Sequence, residues 1–149
     1  MIEIRRATPQ DAATVHALMR ALAETQDQAW AIGVTVETLE GLLARPDVTY
    51  LVAERDGRAV GYVSWLQRVS FWSGEDYCAL DDLFVAATER GQGVGEQLML
   101  AAAESAGGRL IRWEVAEANV AAQRFYLRIG AELVTKKIGR WRPGITTDG

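Results

Sequence analysis

Three glycines within five positions constrain this chain more than any other feature of its sequence. They lie in the run Gly91-Gln92-Gly93-Val94-Gly95, between an apolar strand-like segment at 80–85 and a helical pattern that ends near residue 106. Glycine lets the backbone turn tightly and lets its amide groups approach a ligand that a side chain would keep away. The helix that follows directs its positive N-terminal end at this turn. The order of strand, glycine turn and helix therefore predicts an anion-binding site.

Local signals along the rest of the chain predict further strands and helices. Helix starts are marked by Thr8-Pro9, Thr35 and Asn119, and Asp56-Gly57 predicts a hairpin turn. Towards the C-terminus the pattern predicts strands at Leu110–Val115, Ala131–Thr135 and Ile138–Arg142, and a frayed end at Thr146–Gly149. The whole order predicts an α+β (mixed α/β) fold, with a mixed sheet of six to seven strands flanked by about four helices.

Composition excludes several classes of protein. The length predicts a single domain over residues 1–149, and apolar residues make up 49% of it, enough for a sizeable core. The net charge of −4 argues against nucleic-acid binding. With no long apolar run or signal-like N-terminus, and Cys78 as the sole cysteine, we expect a cytoplasmic protein without a membrane partner. One histidine, His16, and one cysteine give no support to a metal site.

The two common interpretations of a glycine-rich turn do not fit its context. A dinucleotide-binding fold places its glycines after the first strand, whereas antiparallel hairpins precede them here. A P-loop requires Lys followed by Ser or Thr directly after the glycines, and this chain has Glu96 and Gln97 there. The anion site therefore belongs to another type of fold.

Two motifs resemble those of a known family, the GNAT N-acetyltransferases. Arg90-x-x-Gly93-x-Gly95 is similar to the acetyl-CoA-binding motif of that family, and the run from Asn119 to Ala131, with Phe125-Tyr126, is similar to its second motif. The resemblance covers essentially the whole chain. Within the family, the adjacent acids of the segment 80–85 look most like those of the diamine acetyltransferases of the spermidine/spermine type.

The resemblance implies direct attack of an amine on the thioester of bound acetyl-CoA. A carboxylate accepts the amine's proton, directly or through water, and Asp81 is the first candidate with Asp82 the second. Adjacent strand residues point to opposite faces unless a bulge intervenes, so this choice stays open. The family further implies a backbone amide near Leu83 as oxyanion donor and Tyr126 as the acid that protonates the leaving thiolate.

The same resemblance assigns residues to the cofactor and the acceptor. Backbone groups of Leu83, Phe84 and Val85 are expected to pair with the pantetheine arm, and Tyr126 to reach the thiol. The remaining acetyl-CoA contacts are expected from Arg90, Gly91, Gln92, Gly93, Val94, Gly95, Glu96, Asn119, Ala121 and Ala122. The acceptor amine is expected to contact Asp81 and, in the region where this family opens its substrate groove, Glu24 and Asp27. Separately from the resemblance, the five tryptophans offer Trp72, with Trp30 and Trp65 as further candidates, for cation–π contact with the amine.

These observations favour an acetyl-CoA-dependent N-acetyltransferase, without a metal, that acts on the primary amine of a small molecule. The favoured acceptor is a diamine, a polyamine or a lysine-like amine. The alternatives are another amine, such as an aminoglycoside, an amino acid or a protein N-terminus, or a GNAT module that binds acetyl-CoA without turnover. The family resemblance also implies a homodimer. A basic segment at Lys136–Arg142 departs from what a polyamine enzyme would place near its pocket.

Overall fold

The computed structural model describes residues 1–144, so the expected fraying of Thr146–Gly149 lies outside the described residues. The chain divides into two compact units, residues 1–114 and residues 115–149. The prediction of a single domain over 1–149 stays a prediction. No helix of the described residues is long and apolar enough to cross a membrane.

The first unit is built on one mixed sheet of five strands whose order in space follows their order in the chain. Its first four strands are antiparallel, and the fifth runs parallel to the fourth. The tight turn at Asp56-Gly57, where both residues have positive φ, joins the second and third strands as predicted. The strands are β1 (Ile2–Arg6), β2 (Val48–Arg55), β3 (Arg58–Val69), β4 (Asp76–Val85) and β5 (Ile111–Arg112).

Within the part of the chain that the structure describes, four α-helices form, and they begin where the sequence marks their starts. Asp11 accepts a hydrogen bond from the backbone N–H of Thr8 at 2.7 Å ahead of the first helix, Thr35 accepts one from the N–H of Thr38, and Asn119 accepts one from the N–H of Ala122. The helices are α1 (Ala12–Thr25), α2 (Val36–Leu43), α3 (Val94–Ala106) and α4 (Val120–Arg128).

The core of the first unit has two layers, one on each face of the sheet. On one face, α1 and α2 cover Tyr50, Val52, Tyr62 and Phe84. On the other face lies α3, and a Cβ on Gly61 would be 2.6 Å from the carbonyl oxygen of Phe84 in the neighbouring strand β4 and 3.4 Å from Leu98 of α3. The close approach of the β4 backbone therefore explains the glycine in the middle of β3.

The prediction of a mixed α+β fold is confirmed, but the predicted strand count is too high. The described residues form five strands, and the predicted strand Leu110–Val115 is reduced to β5. The segments Ala131–Thr135 and Ile138–Arg142 form no strand. An alternating pattern becomes a strand only where a partner strand satisfies its backbone groups, and no strand of the described residues pairs with these segments.

Candidate active site

A β-bulge in β4 decides how the two adjacent acids are oriented. Ser64 of β3 is paired with Asp82, but the next residue, Trp65, is paired with Leu80, so Asp81 is the extra residue. A bulge interrupts the alternation of side chains along a strand. Asp81 lines a cleft together with Tyr50, and Asp82 bonds a tyrosine that stacks on Tyr50. Both carboxylates therefore lie on the same face of the sheet.

The hydroxyl of Tyr62 holds Asp82 in place. It donates a hydrogen bond to Oδ2 of Asp82 at 2.9 Å, and the Tyr62 side chain is 0% exposed. Burial raises the pKa of Asp82, the charge of Asp81 raises it further, and the bond from Tyr62 acts in the opposite direction. A carboxylate with a raised pKa is a better proton acceptor than an ordinary aspartate, which suits it to act as a general base.

The two tyrosines of this face remain protonated donors at neutral pH. Burial, followed by the charges of Asp82 and Asp81, raises the pKa of Tyr50 to about 12 and raises that of Tyr62 as well. Their rings stack with centroids 5.7 Å apart, and Tyr62 also contacts the ring of Phe84 at 6.2 Å. This aromatic stack fixes the position of the hydroxyl that supports Asp82.

An open cleft of about 820 Å³ lies on this face of the sheet. Its polar end is formed by Tyr50, Ser64 and Asp81, and Trp65 also lines it. Three further charged side chains line the cleft: Arg68 on β3, and Arg112 and Glu114 in and directly after β5. The cleft therefore has carboxylates and guanidinium groups along one wall.

Strands β4 and β5 separate beside the bulge. They are paired only at Cys78 with Ile111 and at Ala79 with Arg112. From Asp81 onward, the edge of β4 that faces β5 has no strand partner among the described residues. Backbone groups of Leu83–Val85 on that edge can pair with an extended ligand, as the sequence predicts for the pantetheine arm.

The glycine turn has the conformation that the sequence predicts. Gly91 and Gly93 have φ values of 76° and 80°, and a Cβ on either would meet nothing within 4 Å. The first hydrogen bond within α3 runs from the N–H of Gln97 to the carbonyl of Gly93 at 3.0 Å. The N–H groups of the preceding residues, Val94–Glu96, therefore point out of the helix N-terminus, where an anion such as a pyrophosphate fits.

A buried ion pair braces the segment that leads into this turn. Nε of Arg55, at the end of β2, donates to Oε2 of Glu89 at 2.9 Å, and Glu89 is 5% exposed. Arg55 also donates to Oε1 of Gln92 at 3.4 Å. Arg90 is exposed and donates to the carbonyl of Val85 at 3.3 Å, at the end of β4. Side chains from β2 and the segment before α3 thus fix the turn from outside.

The second unit carries the remaining predicted site residues. Asn119 uses its side-chain oxygen to cap α4 by bonding the N–H of Ala122 at 3.1 Å. Tyr126 is buried on that helix, and its ring meets the edge of Phe125 at 5.4 Å. The catalytic role predicted for Tyr126 stays a prediction, as do the cofactor contacts of Asn119, Ala121 and Ala122.

Three residues predicted to contact the acceptor do not line the cleft. Glu24 and Asp27 are exposed at the end of α1, and Trp72 is fully exposed in the loop between β3 and β4. Trp30 is exposed as well, whereas Trp65 is buried and lines the cleft. His16 forms a hydrogen bond with the carbonyl of Val34 at 2.8 Å. The described residues contain no cluster of side chains that could hold a metal ion.

Sequence reasoning missed several residues of this site. The sequence shows Tyr50 and Tyr62 at alternating strand positions. That they lie near Asp82 depends on the register of three strands, which the sequence does not show. Arg112 lies between two apolar residues, and Arg68 lies two positions after Leu66 on the same strand. The signal for all four is the period-two pattern extended across neighbouring strands.

Comparison with known proteins identifies the family. The model of the acetyltransferase (GNAT) family matches residues 15–131. The chain belongs to the GNAT family. The acetyltransferase is 34% identical over 137 residues to the aminoalkylphosphonate N-acetyltransferase of Salmonella typhimurium, covering 86% of this chain and 83% of the relative. It is 29% identical over 149 residues to the thialysine N-epsilon-acetyltransferase of Mus musculus, covering 91% and 87% respectively.

Solved structures support the fold of the acetyltransferase. An aminoglycoside acetyltransferase from an uncultured soil metagenomic sample, in complex with sisomicin, superposes with a TM-score of 0.82 at 17% identity and 95% coverage of both chains. An aminoglycoside N-acetyltransferase in complex with CoA gives a TM-score of 0.77 at 20% identity, covering 96% of this chain and 95% of the other. The predicted family and the predicted class of enzyme, an acyltransferase, are confirmed.

Proposed function

We propose that this enzyme transfers the acetyl group of acetyl-CoA to the primary amine of a small molecule, by direct attack within a ternary complex. The observation that carries the proposal is the pair of acids at the bulge, with Asp82 half-buried and held by Tyr62, beside an unpaired edge of β4. This arrangement supplies a proton acceptor next to a backbone that can bind an extended thioester.

Proton removal is the first task of the site, because an ammonium has no lone pair with which to attack. Asp82 has a raised pKa and a fixed position, whereas Asp81 is exposed at the wall of the cleft. We propose Asp82 as the proton acceptor, directly or through a water molecule, and Asp81 as a group that attracts the ammonium into the cleft.

The remaining steps use groups that the sequence predicts. Acetyl-CoA supplies an activated acyl group, and the amide near Leu83 stabilises the oxyanion that forms on it. Tyr126 donates a proton to the leaving thiolate, for which a phenol is a suitable acid. The N–H groups at the start of α3 hold the pyrophosphate, with Arg90 adding positive charge.

The relatives support an alkyl amine as the acceptor. One is named for aminoalkylphosphonate and another for thialysine, a lysine-like compound. We propose a lysine-like or related aliphatic amine as the acceptor, with a diamine or polyamine as the second candidate. The proposal also includes a homodimer in the cytoplasm. Exposed apolar side chains at Ile138 and Trp141 are consistent with a partner subunit.

The release of free CoA thiol from acetyl-CoA tests this function. The panel contains lysine, cadaverine, spermidine, aminopropylphosphonate, an aminoglycoside and an N-terminal peptide, and mass spectrometry identifies each acetylated product. We expect release that depends on an aliphatic amine, with one acetyl group on the amine nitrogen. Tight CoA binding by calorimetry without release for any amine would contradict the proposal and indicate a non-catalytic module.

A further inference from the structure

Apart from Glu114, which follows Arg112 by two residues, the charges along the wall of the cleft are segregated. Tyr50, Ser64 and Asp81 form one end, beside the bulge. Moving along the strands, Leu66 is paired with Ala79, and Ala79 is paired with Arg112. One step further, Arg68 is paired with Tyr77. The acidic end of the cleft therefore gives way to a basic end within two pleats of the sheet.

The spacing between the two ends follows from strand geometry. Each residue advances a strand by about 3.3 Å, so Arg112 lies ~7 Å and Arg68 ~13 Å along the strands from the level of Ser64. The flexible arginine side chains shorten or lengthen these separations by several ångströms. An amine at Asp81 and Asp82 thus has guanidinium groups within reach of the far end of a small aliphatic molecule.

The guanidinium groups of the basic end are free to bind a ligand. Within residues 1–144, neither Arg68 nor Arg112 forms an ion pair, and neither donates a side-chain hydrogen bond. This contrasts with Arg5, Arg45 and Arg55, which are all paired with carboxylates. Two unpaired guanidinium groups in one cleft repel a cation and attract an oxyanion, which they can bind in a bidentate manner.

We propose that Arg68 and Arg112 form a subsite for an anionic group, so that the preferred acceptor is a primary amine that carries a carboxylate or phosphonate several carbon atoms away. The inference rests on the proposed function and narrows it. The acidic end takes the ammonium, and the basic end takes the oxyacid. A diamine or polyamine satisfies only the first of these ends and places its second ammonium against the arginines.

Matched amines test the proposal. Lysine is compared with cadaverine, and aminopropylphosphonate with propylamine, because each pair differs by the anionic group alone. We expect kcat/KM to be about 10- to 100-fold higher for the anionic member, as one or two charge-assisted hydrogen bonds provide. The lysine and aminopropylphosphonate arms show whether the subsite prefers a carboxylate or a phosphonate. Equal or faster acetylation of cadaverine and propylamine would overturn the inference while leaving the proposed function intact.

Variants assign the effect to the two arginines. Arg68→Gln and Arg112→Gln are expected to raise KM for the anionic amine by about 10-fold each, with kcat and the KM for propylamine little changed. Arg58→Gln, at the exposed start of β3 and outside the cleft, is the matched control. An equal loss on anionic and neutral amines would overturn the inference. If none of the amines supported release of CoA thiol, the result would contradict the proposed function and this inference with it.

Discussion

The glycine turn and the acidic bulge offer different kinds of groups for binding a ligand. The turn at residues 90–95 offers backbone N–H groups, and its shape depends on positive φ at Gly91 and Gly93. The bulge in β4 offers side chains, and its shape depends on a shift in register between β3 and β4. If the turn binds the cofactor and the bulge the acceptor, as we propose, the cofactor side depends on backbone conformation and the acceptor side on the identity of a few side chains.

The largest expected effect is on the acceptor side. Asp82→Asn removes the proposed proton acceptor while keeping its size, so we expect kcat to fall by about 10²- to 10⁴-fold, the usual contribution of general acid–base catalysis. KM for acetyl-CoA should change little, because the cofactor side does not depend on this side chain. Steady-state kinetics with both substrates varied measures both constants. A larger loss of kcat in Asp81→Asn than in Asp82→Asn would reverse the assignment.

The next effect concerns the brace of the glycine turn. Arg55→Ala leaves the buried carboxylate of Glu89 without its partner, and we expect a loss of about 2 to 3 kcal/mol in the free energy of unfolding. KM for acetyl-CoA should rise, because the segment leading to the turn is no longer fixed, while KM for the amine should not.

The matched control for this brace is Arg45→Ala. It breaks an exposed ion pair with Asp47 at 2.7 Å. We expect little change in the free energy of unfolding and no change in either KM, because solvent screens an exposed ion pair. Denaturant unfolding and initial rates give both readouts. If Arg55→Ala lowered stability and left KM for acetyl-CoA unchanged, the ion pair of Arg55 and Glu89 would stabilise the fold without contributing to cofactor binding.

A smaller effect tests whether the turn acts through its backbone. Gly93→Ala places a side chain at φ 80°, where no neighbouring atom obstructs it, so the cost is conformational and about 1 to 2 kcal/mol. Gly107→Ala, at the other end of α3 with φ 60° and equal free space, should cost a similar amount. Only Gly93→Ala should also raise KM for acetyl-CoA. Equal KM values for the two variants would contradict an anion site at the start of α3.

The smallest effect is a shift in pH dependence. Tyr62→Phe removes the hydrogen bond that lowers the pKa of Asp82, so this pKa rises further. The ascending limb of kcat against pH reports ionisation of the base, and we expect it to move to higher pH by about one unit. Tyr50→Phe is the control, because its hydroxyl donates to Sδ of Met19 at 3.9 Å instead of to Asp82. If the ascending limb stayed at the same pH in Tyr62→Phe, Asp82 would not be the base whose ionisation the limb reports.

The same contrast explains what the sequence could predict. The glycine turn, the caps at Thr35 and Asn119 and the hairpin at Asp56-Gly57 depend on residues a few positions apart, and all four form as expected. The bond between Tyr62 and Asp82 joins residues 20 positions apart, and the pair of Arg55 and Glu89 joins residues 34 apart. Such contacts depend on strand register, which a local pattern does not determine.

Two of the predicted strands, which needed a partner strand, were wrong. The alternating segments Ala131–Thr135 and Ile138–Arg142 have no partner strand among the described residues, and they do not form strands. Contact of Glu24, Asp27 and Trp72 with the acceptor stays a prediction: the first two lie at the end of α1, Trp72 lies in the loop between β3 and β4, and none of them lines the cleft. Loops vary in shape because few contacts fix them, so residue type alone does not locate their side chains.

The most direct test of the account is the pattern of initial rates when acetyl-CoA and the best amine of the panel are varied together. Direct transfer in a ternary complex predicts double-reciprocal lines that intersect, and no acetyl group on the protein after incubation with acetyl-CoA alone. Parallel lines, together with an acetylated protein detected by mass spectrometry, would contradict direct attack of the amine on the thioester.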